Sequence, residues 1–165
     1  KEKLAQIIWE YGEERYARKI ADRIVRQRES RPIDTTFELV DLIKTALGGY
    51  AADKHPAKRT FQAIRIEVNH ELGILDGAIS DFFDRLKPGG RLAVITFHSL
   101  EDRLVKNSFR ILTQACTCPP SFPVCVCGGV ARGKFVNRKP VTAGDEELAQ
   151  NPRAKSAKLR VIEKL

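Results

Sequence analysis

Residues 87–103 read Lys-Pro-Gly-Gly-Arg-Leu-Ala-Val-Ile-Thr-Phe-His-Ser-Leu-Glu-Asp-Arg, and their reading decides the fold. Pro88 and the Gly89-Gly90 pair stop a helix and turn the chain. Leu92 to Phe97 is a nearly continuous apolar run with β-branched residues, which predicts a strand covered on both faces. Phe97-His98-Ser99 then leaves the strand. Ser99 is the expected cap of the next helix, with Asp102 in the N3 place of an acidic capping box. Ligands of open α/β sheets bind outside the carboxyl ends of strands. His98, Ser99, Glu101, Asp102 and Arg103 gather at such an end, although capping alone accounts for Ser99 and Asp102.

The flanks of this stretch are helical. Leu75, Ala78, Ile79, Phe82, Phe83 and Leu86 precede the strand at helical spacing, and Leu104, Val105, Phe109 and Leu112 follow it. Helix–strand–helix is one slice of a doubly wound α/β fold. Farther toward the amino end nothing reads as a strand. Leu4, Ile7, Ile8 and Tyr11 predict a short helix ending at Gly12. Tyr16, Ile20 and Ile24, with Ala17, Ala21 and Val25, stripe a second. Thr35-Thr36-Phe37-Glu38 is a capping box for a third, and Phe61, Ile64, Val68 and Leu72 carry a fourth. Residues 1–72 are therefore expected to form an all-helical domain, with Gly73 separating it from an α/β part at 73–165. Strands are also expected near Lys134–Val141 and Ala157–Lys164, as an antiparallel edge on a mostly parallel sheet, with a short acidic helix near Asp145–Ala149 between them. So few strands make little sheet for such a fold, and the chain, which contains no Met, reads as the back half of a larger domain.

With 165 residues, 42% hydrophobic and 30% charged, the chain is expected to fold. A net charge of +8 favours a polyanionic partner. No apolar run approaches membrane-spanning length and no signal peptide opens the chain, so a cytoplasmic location without membrane contact is expected. Cys116-x-Cys118 and Cys125-x-Cys127 flank a Pro-rich stretch within a loop at 115–133. Four thiols at this spacing make either a tetrahedral structural zinc site or a set of reduced thiols in a surface loop.

Several blocks occur in order: Tyr11-Gly12-Glu13-Glu14-Arg15, the run His55-Pro56-Ala57-Lys58-Arg59-Thr60-Phe61-Gln62-Ala63-Ile64-Arg65-Ile66, then Leu86–Leu92, Phe97–Arg103, and Asn151-Pro152-Arg153-Ala154-Lys155-Ser156-Ala157-Lys158-Leu159-Arg160. Together they resemble the bacterial ribosomal RNA small subunit methyltransferase H family over essentially the whole chain. One departure is His70, which stands where that family usually carries an acid. The resemblance implies an S-adenosylmethionine-dependent enzyme that methylates the exocyclic N4 of a cytosine in the decoding region of 16S rRNA. It implies the C-terminal half of a class I (Rossmann-like) methyltransferase sheet plus an all-α inserted substrate-recognition domain. The partner it implies is 16S rRNA in the small ribosomal subunit.

The resemblance further implies that Lys54, His55, Lys58, Arg59, Arg65, Arg103, Arg153, Lys155, Lys158 and Arg160 are candidates for RNA contacts. A solvated basic face is the competing reading of the first group. For Lys158 and Arg160 it is a lysine-guarded edge strand. His98, Glu101 and Asp102 are the candidates to orient the cytosine amine or shape its pocket. Cofactor-binding residues are expected in a first half of the family that has no counterpart here. None of Gly48-Gly49, Gly89-Gly90 and Gly128-Gly129 makes the glycine turn that follows a first strand. Neither Cys118-Pro119-Pro120-Ser121 nor Asn151-Pro152-Arg153 matches the amine-holding loop of amino-methyltransferases. Two further readings stand beside this one. The chain is a basic, zinc-stabilised RNA-binding module without catalysis, or its open sheet edge pairs with a second copy in a homodimer or with another half-enzyme.

Overall fold

Thr35 opens its helix as the capping box predicts: its hydroxyl accepts from the Glu38 N–H at 3.2 Å, and the Glu38 carboxylate accepts from the Thr35 N–H at 3.2 Å. In the computed structural model, which describes residues 1–48, 55–116, 118–119 and 121–165, the chain divides into units Lys1–Glu71 and Leu72–Leu165. The first holds α1 (Glu2–Gly12), α2 (Ala17–Ser30), α3 (Thr36–Ala46) and α4 (Lys58–Asn69). The second holds α5 (Glu71–Arg85, its first residue at the boundary), β1 (Arg91–Thr96), α6 (Ser99–Thr113), β2 (Gly133–Phe135), α7 (Asp145–Gln150), a 3-10 turn (Pro152–Ser156) and β3 (Lys158–Lys164). Gly73, expected to be the separator, lies inside α5. α4 ends at His70, whose backbone is left-handed (φ 51°), and the units divide between Glu71 and Leu72. Gly49 and Lys54 lie outside the described residues.

The core of the helical unit is Ile8, the stripe Ala17, Ile20, Ala21 and Ile24, and Ile43. Two of the sequence blocks hold each other there. Gln62 Nε2 donates to the Tyr11 carbonyl at 3.0 Å, and Arg59 Nη1 to the Glu13 carbonyl at 3.2 Å, so α4 satisfies carbonyls that the end of α1 leaves open. Gly12 allows this approach: a Cβ there would stand 2.8 Å from the Arg59 carbonyl oxygen. Gly12→Ala is therefore expected to lower stability by about 1–3 kcal/mol, the usual effect of overpacking. Urea unfolding followed by circular dichroism reads it, and an unchanged midpoint would show that the approach is not tight.

The sheet of the second unit runs β1-β3-β2, with both β1 and β2 antiparallel to β3. β3 is thus the central strand among the described residues, not an edge. Strand β2 is shorter than expected, and Val141 adds only an isolated bridge to Leu159. One face of the sheet carries Leu92, Val94 and Thr96 opposite Ile162, Arg160 and Lys158. Ile162 packs with Ile79 and Phe83 of α5 and with Val105 and Phe109 of α6. The expectation that β1 is covered on both faces does not hold within this chain. Its residues alternate in burial, and Ile95 on the second face is 59% exposed. Among the described residues no strand pairs with the outer edge of β1.

Candidate functional site

At the carboxyl end of β1 the chain turns directly into α6, and the cap is His98, one residue earlier than the Ser99 cap expected from sequence. His98 Nδ1 accepts from the Glu101 N–H at 3.3 Å. The Glu101 carboxylate accepts from the N–H groups of Phe97 at 2.8 Å and His98 at 3.2 Å. An imidazole nitrogen replaces the usual cap oxygen, and Glu101, not Asp102, is the N3 acid. Acceptance at Nδ1 leaves the ring proton of neutral His98 on Nε2. That atom is buried and lies 3.3 Å from Glu101 Oε1, yet it makes no hydrogen bond among the described residues. His98→Ala is expected to cost about 1 kcal/mol through loss of the cap, and His98→Asn much less. Amide exchange at Glu101 reads the cap directly, and unchanged protection in His98→Ala would contradict it.

Released from capping, Asp102 faces the sheet. Its Oδ1 takes Arg160 Nε at 2.7 Å, and its Oδ2 takes Arg160 Nη2 and Lys158 Nζ, each at 3.2 Å. The Asp102 and Arg160 side chains are both buried, whereas Lys158 is 41% exposed. Hydrogen bonds from the Arg160 guanidinium hold the Asp102 carboxyl below the usual carboxylate range against the opposing effect of burial, and Lys158 adds to the lowering. Asp102 is therefore a fixed anion and a poor proton acceptor. Strand periodicity correctly puts Lys158 and Arg160 on one face, but that face is the covered one, on a central strand.

The remaining sequence candidates differ in their surroundings. His55, Lys58, Arg103, Arg153 and Lys155 are exposed. Arg59 and Arg65 are exposed too; Arg59 donates to the Glu13 carbonyl and Arg65 forms a bidentate pair with Glu71 at 2.7 and 3.0 Å. Arg160 is turned inward onto Asp102, which removes its guanidinium from any phosphate contact. Lys54 lies outside the described residues. Cys116, Cys118, Cys125 and Cys127 converge, with all four Sγ atoms within 4.8 Å of one another. The carbonyl-capping role of Gln62 and the Asp102–Arg160 pair are not legible in the sequence. No local pattern signals contacts between residues 51 or 58 positions apart.

The β1–α6 turn does not make a cradle for a nucleotide-like cofactor. The β1–α6 turn carries no glycine, and the N–H groups of Phe97 and His98 that would face a ligand are already taken by Glu101.

Fold and site together define an α/β protein whose polar groups gather at the carboxyl end of a strand. Within that class the chain belongs to the MraW methylase family, whose sequence model matches residues 1–165. It is similar to proteins named ribosomal RNA small subunit methyltransferase H. The one from Fusobacterium nucleatum subsp. nucleatum is 57% identical over 164 residues, 99% of this chain and 52% of the relative. The one from Lachnospira eligens is 55% identical over 164 residues, 98% of this chain and 52% of the relative. That of Geobacter sp. strain M21 is 56% identical over 164 residues, 98% and 53% of the two chains. The chain thus spans about half the length of the curated relatives it matches. No helix among the described residues is long and apolar enough to cross a membrane.

Proposed function

We propose that the protein to which this chain belongs is an S-adenosylmethionine-dependent methyltransferase that modifies the exocyclic N4 of a cytosine in the decoding region of 16S rRNA, acting on the small ribosomal subunit in the cytoplasm. The observation that carries this reading is the match, at 55–57% identity over nearly the whole chain, to relatives named for methylation of small-subunit ribosomal RNA. In this reading the sheet β1-β3-β2 is one end of a class I (Rossmann-like) sheet that continues across the open outer edge of β1. Residues 1–72 are then an inserted domain that recognises RNA. S-adenosylmethionine supplies the methyl group. Its cradle is assigned to residues other than those of this chain, because the amides of the β1 tip are occupied.

The work of this chain is then positioning. His98 and Glu101 fix the turn at the strand end. Asp102, locked by Arg160 and Lys158, sets the distance between α6 and β3, and the three together shape the wall of the cytosine pocket. A cytosine amine is a weak nucleophile whose lone pair is delocalised into the ring, so alignment is the larger share of the task. His55 and Lys58 at the start of α4 are assigned to phosphates, and so are Arg103 and, in the segment before β3, Arg153 and Lys155. The test is methyl transfer by the full-length protein from labelled S-adenosylmethionine to small-subunit rRNA, followed by digestion to nucleosides. Label in N4-methylcytidine is the expected result. No transfer, or label on another atom, would overturn the proposal.

A further inference from the structure

We infer that Cys116, Cys118, Cys125 and Cys127 form a structural zinc site that closes the loop between α6 and β2 into a metal-held knuckle. Four thiolates around zinc at about 2.3 Å in a tetrahedron stand about 3.8 Å from one another. Here Cys127 Sγ lies 3.8 Å from Cys116 Sγ and 3.4 Å from Cys125 Sγ, and all four sulfurs fall within 4.8 Å. These separations are far longer than the roughly 2.05 Å of a disulfide bond, and no disulfide joins the four cysteines.

The surrounding backbone is built toward the sulfurs. The Cys118 N–H points at Cys116 Sγ and the Val126 N–H at Cys118 Sγ, each at 3.4 Å. Such donors offset the negative charge that four thiolates bring to one ion. Gly128, immediately after the last cysteine, takes a left-handed backbone (φ 60°) that turns the chain back.

The loop also needs a clamp. Its base is pinned where the Arg132 N–H donates to the Leu112 carbonyl at 3.0 Å. Between those points the described residues carry no helix or strand beyond the end of α6, and loops of such length without structure of their own are uncommon. The apolar side chains do not form a core. Phe122, Val124, Val126 and Val130 are 50–80% exposed. The sulfur cluster is the one convergent feature among the described residues of the loop. An all-thiolate set leaves no open coordination position, so the ion braces the loop and takes no part in methyl transfer.

The test uses the full-length protein, purified under reducing conditions and analysed for metals. About one zinc per chain is expected from a single closed site. Cobalt titration of the stripped protein is expected to give the sulfur-to-metal charge-transfer and intense visible bands of a tetrahedral thiolate site. Cys116→Ser and Cys127→Ser are each expected to lose these bands while retaining the circular dichroism of the folded protein. Should either variant misfold, the cobalt spectrum of the unaltered protein decides alone. Absence of zinc together with absence of cobalt bands overturns the inference. So does iron as the resident metal, or full zinc retention in a folded Cys127→Ser.

Discussion

Replacing Asp102 with Ala is expected to cost about 3–5 kcal/mol, because it strands the buried Arg160 guanidinium without its counter-ion. Arg160→Ala is expected to cost as much by stranding the carboxylate. The double variant Asp102→Leu/Arg160→Met removes both charges and keeps the volume. It is expected to lose much less than the sum of the single changes, since a buried pair contributes little net against apolar side chains of similar size. Lys158 moderates the effect on the carboxylate side but is partly in solvent and does not replace the guanidinium. The pair also sets a pH dependence. The folded Asp102 carboxyl sits below its ordinary value, so its contribution is full above about pH 4 and is lost as pH falls further, through the folded value. Urea unfolding of the three variants at neutral pH, and of the parent protein across the acid range, checks both statements. A destabilisation below about 1 kcal/mol in Asp102→Ala would contradict the first.

The second large effect is expected at Phe83. It is fully buried, with Ile79, Val105, Phe109 and Ile162 around it. Its ring also lies under two cations, with the Arg132 guanidinium and the Lys164 ammonium each 5.6 Å from its centroid. Lys164 goes on to donate to the carbonyls of Phe83 at 3.2 Å and Asp84 at 2.8 Å, closing the end of α5 from the last strand. Phe83→Ala is therefore expected to cost about 3–5 kcal/mol and to loosen α5 from the sheet. Phe83→Leu keeps most of the volume and is expected to cost less. Unfolding midpoints give the totals. Hydrogen exchange along α5 distinguishes local detachment, with faster exchange over Ile79–Arg85, from global unfolding. Unchanged exchange and midpoint in Phe83→Ala would contradict the packing described.

Periodicity and punctuation carry the helices. The stripe through Ile20 and Ile24, the Thr35–Glu38 box and the Pro-Gly-Gly turn before β1 are all readable, because each is a local arrangement of neighbouring residues. What is not readable depends on residues far apart. Ser99–Asp102 and His98–Glu101 both fit a capping box, and the choice between them falls to Asp102, whose partner Arg160 lies 58 positions away on β3. The basic residues of β3 read as an edge guard because a sequence does not state strand order, and order β1-β3-β2 places them at the centre. The run Leu92–Phe97 reads as a strand buried on both faces. Ile95 and Phe97 are instead exposed within this chain, at 59% and 58%.

In the proposed function RNA recognition falls to this chain and the cofactor cradle to other residues, and paired binding measurements test that division most directly. In the full-length protein, Lys58→Ala combined with Arg153→Ala and Lys155→Ala is expected to weaken binding of 16S rRNA. It is also expected to flatten the salt dependence, by about one unit of slope for each phosphate that the variant no longer neutralises. Calorimetry is expected to show S-adenosylmethionine affinity unchanged in the same variant. Unaltered rRNA affinity, or cofactor affinity falling in step with it, would contradict the division of labour proposed for this chain.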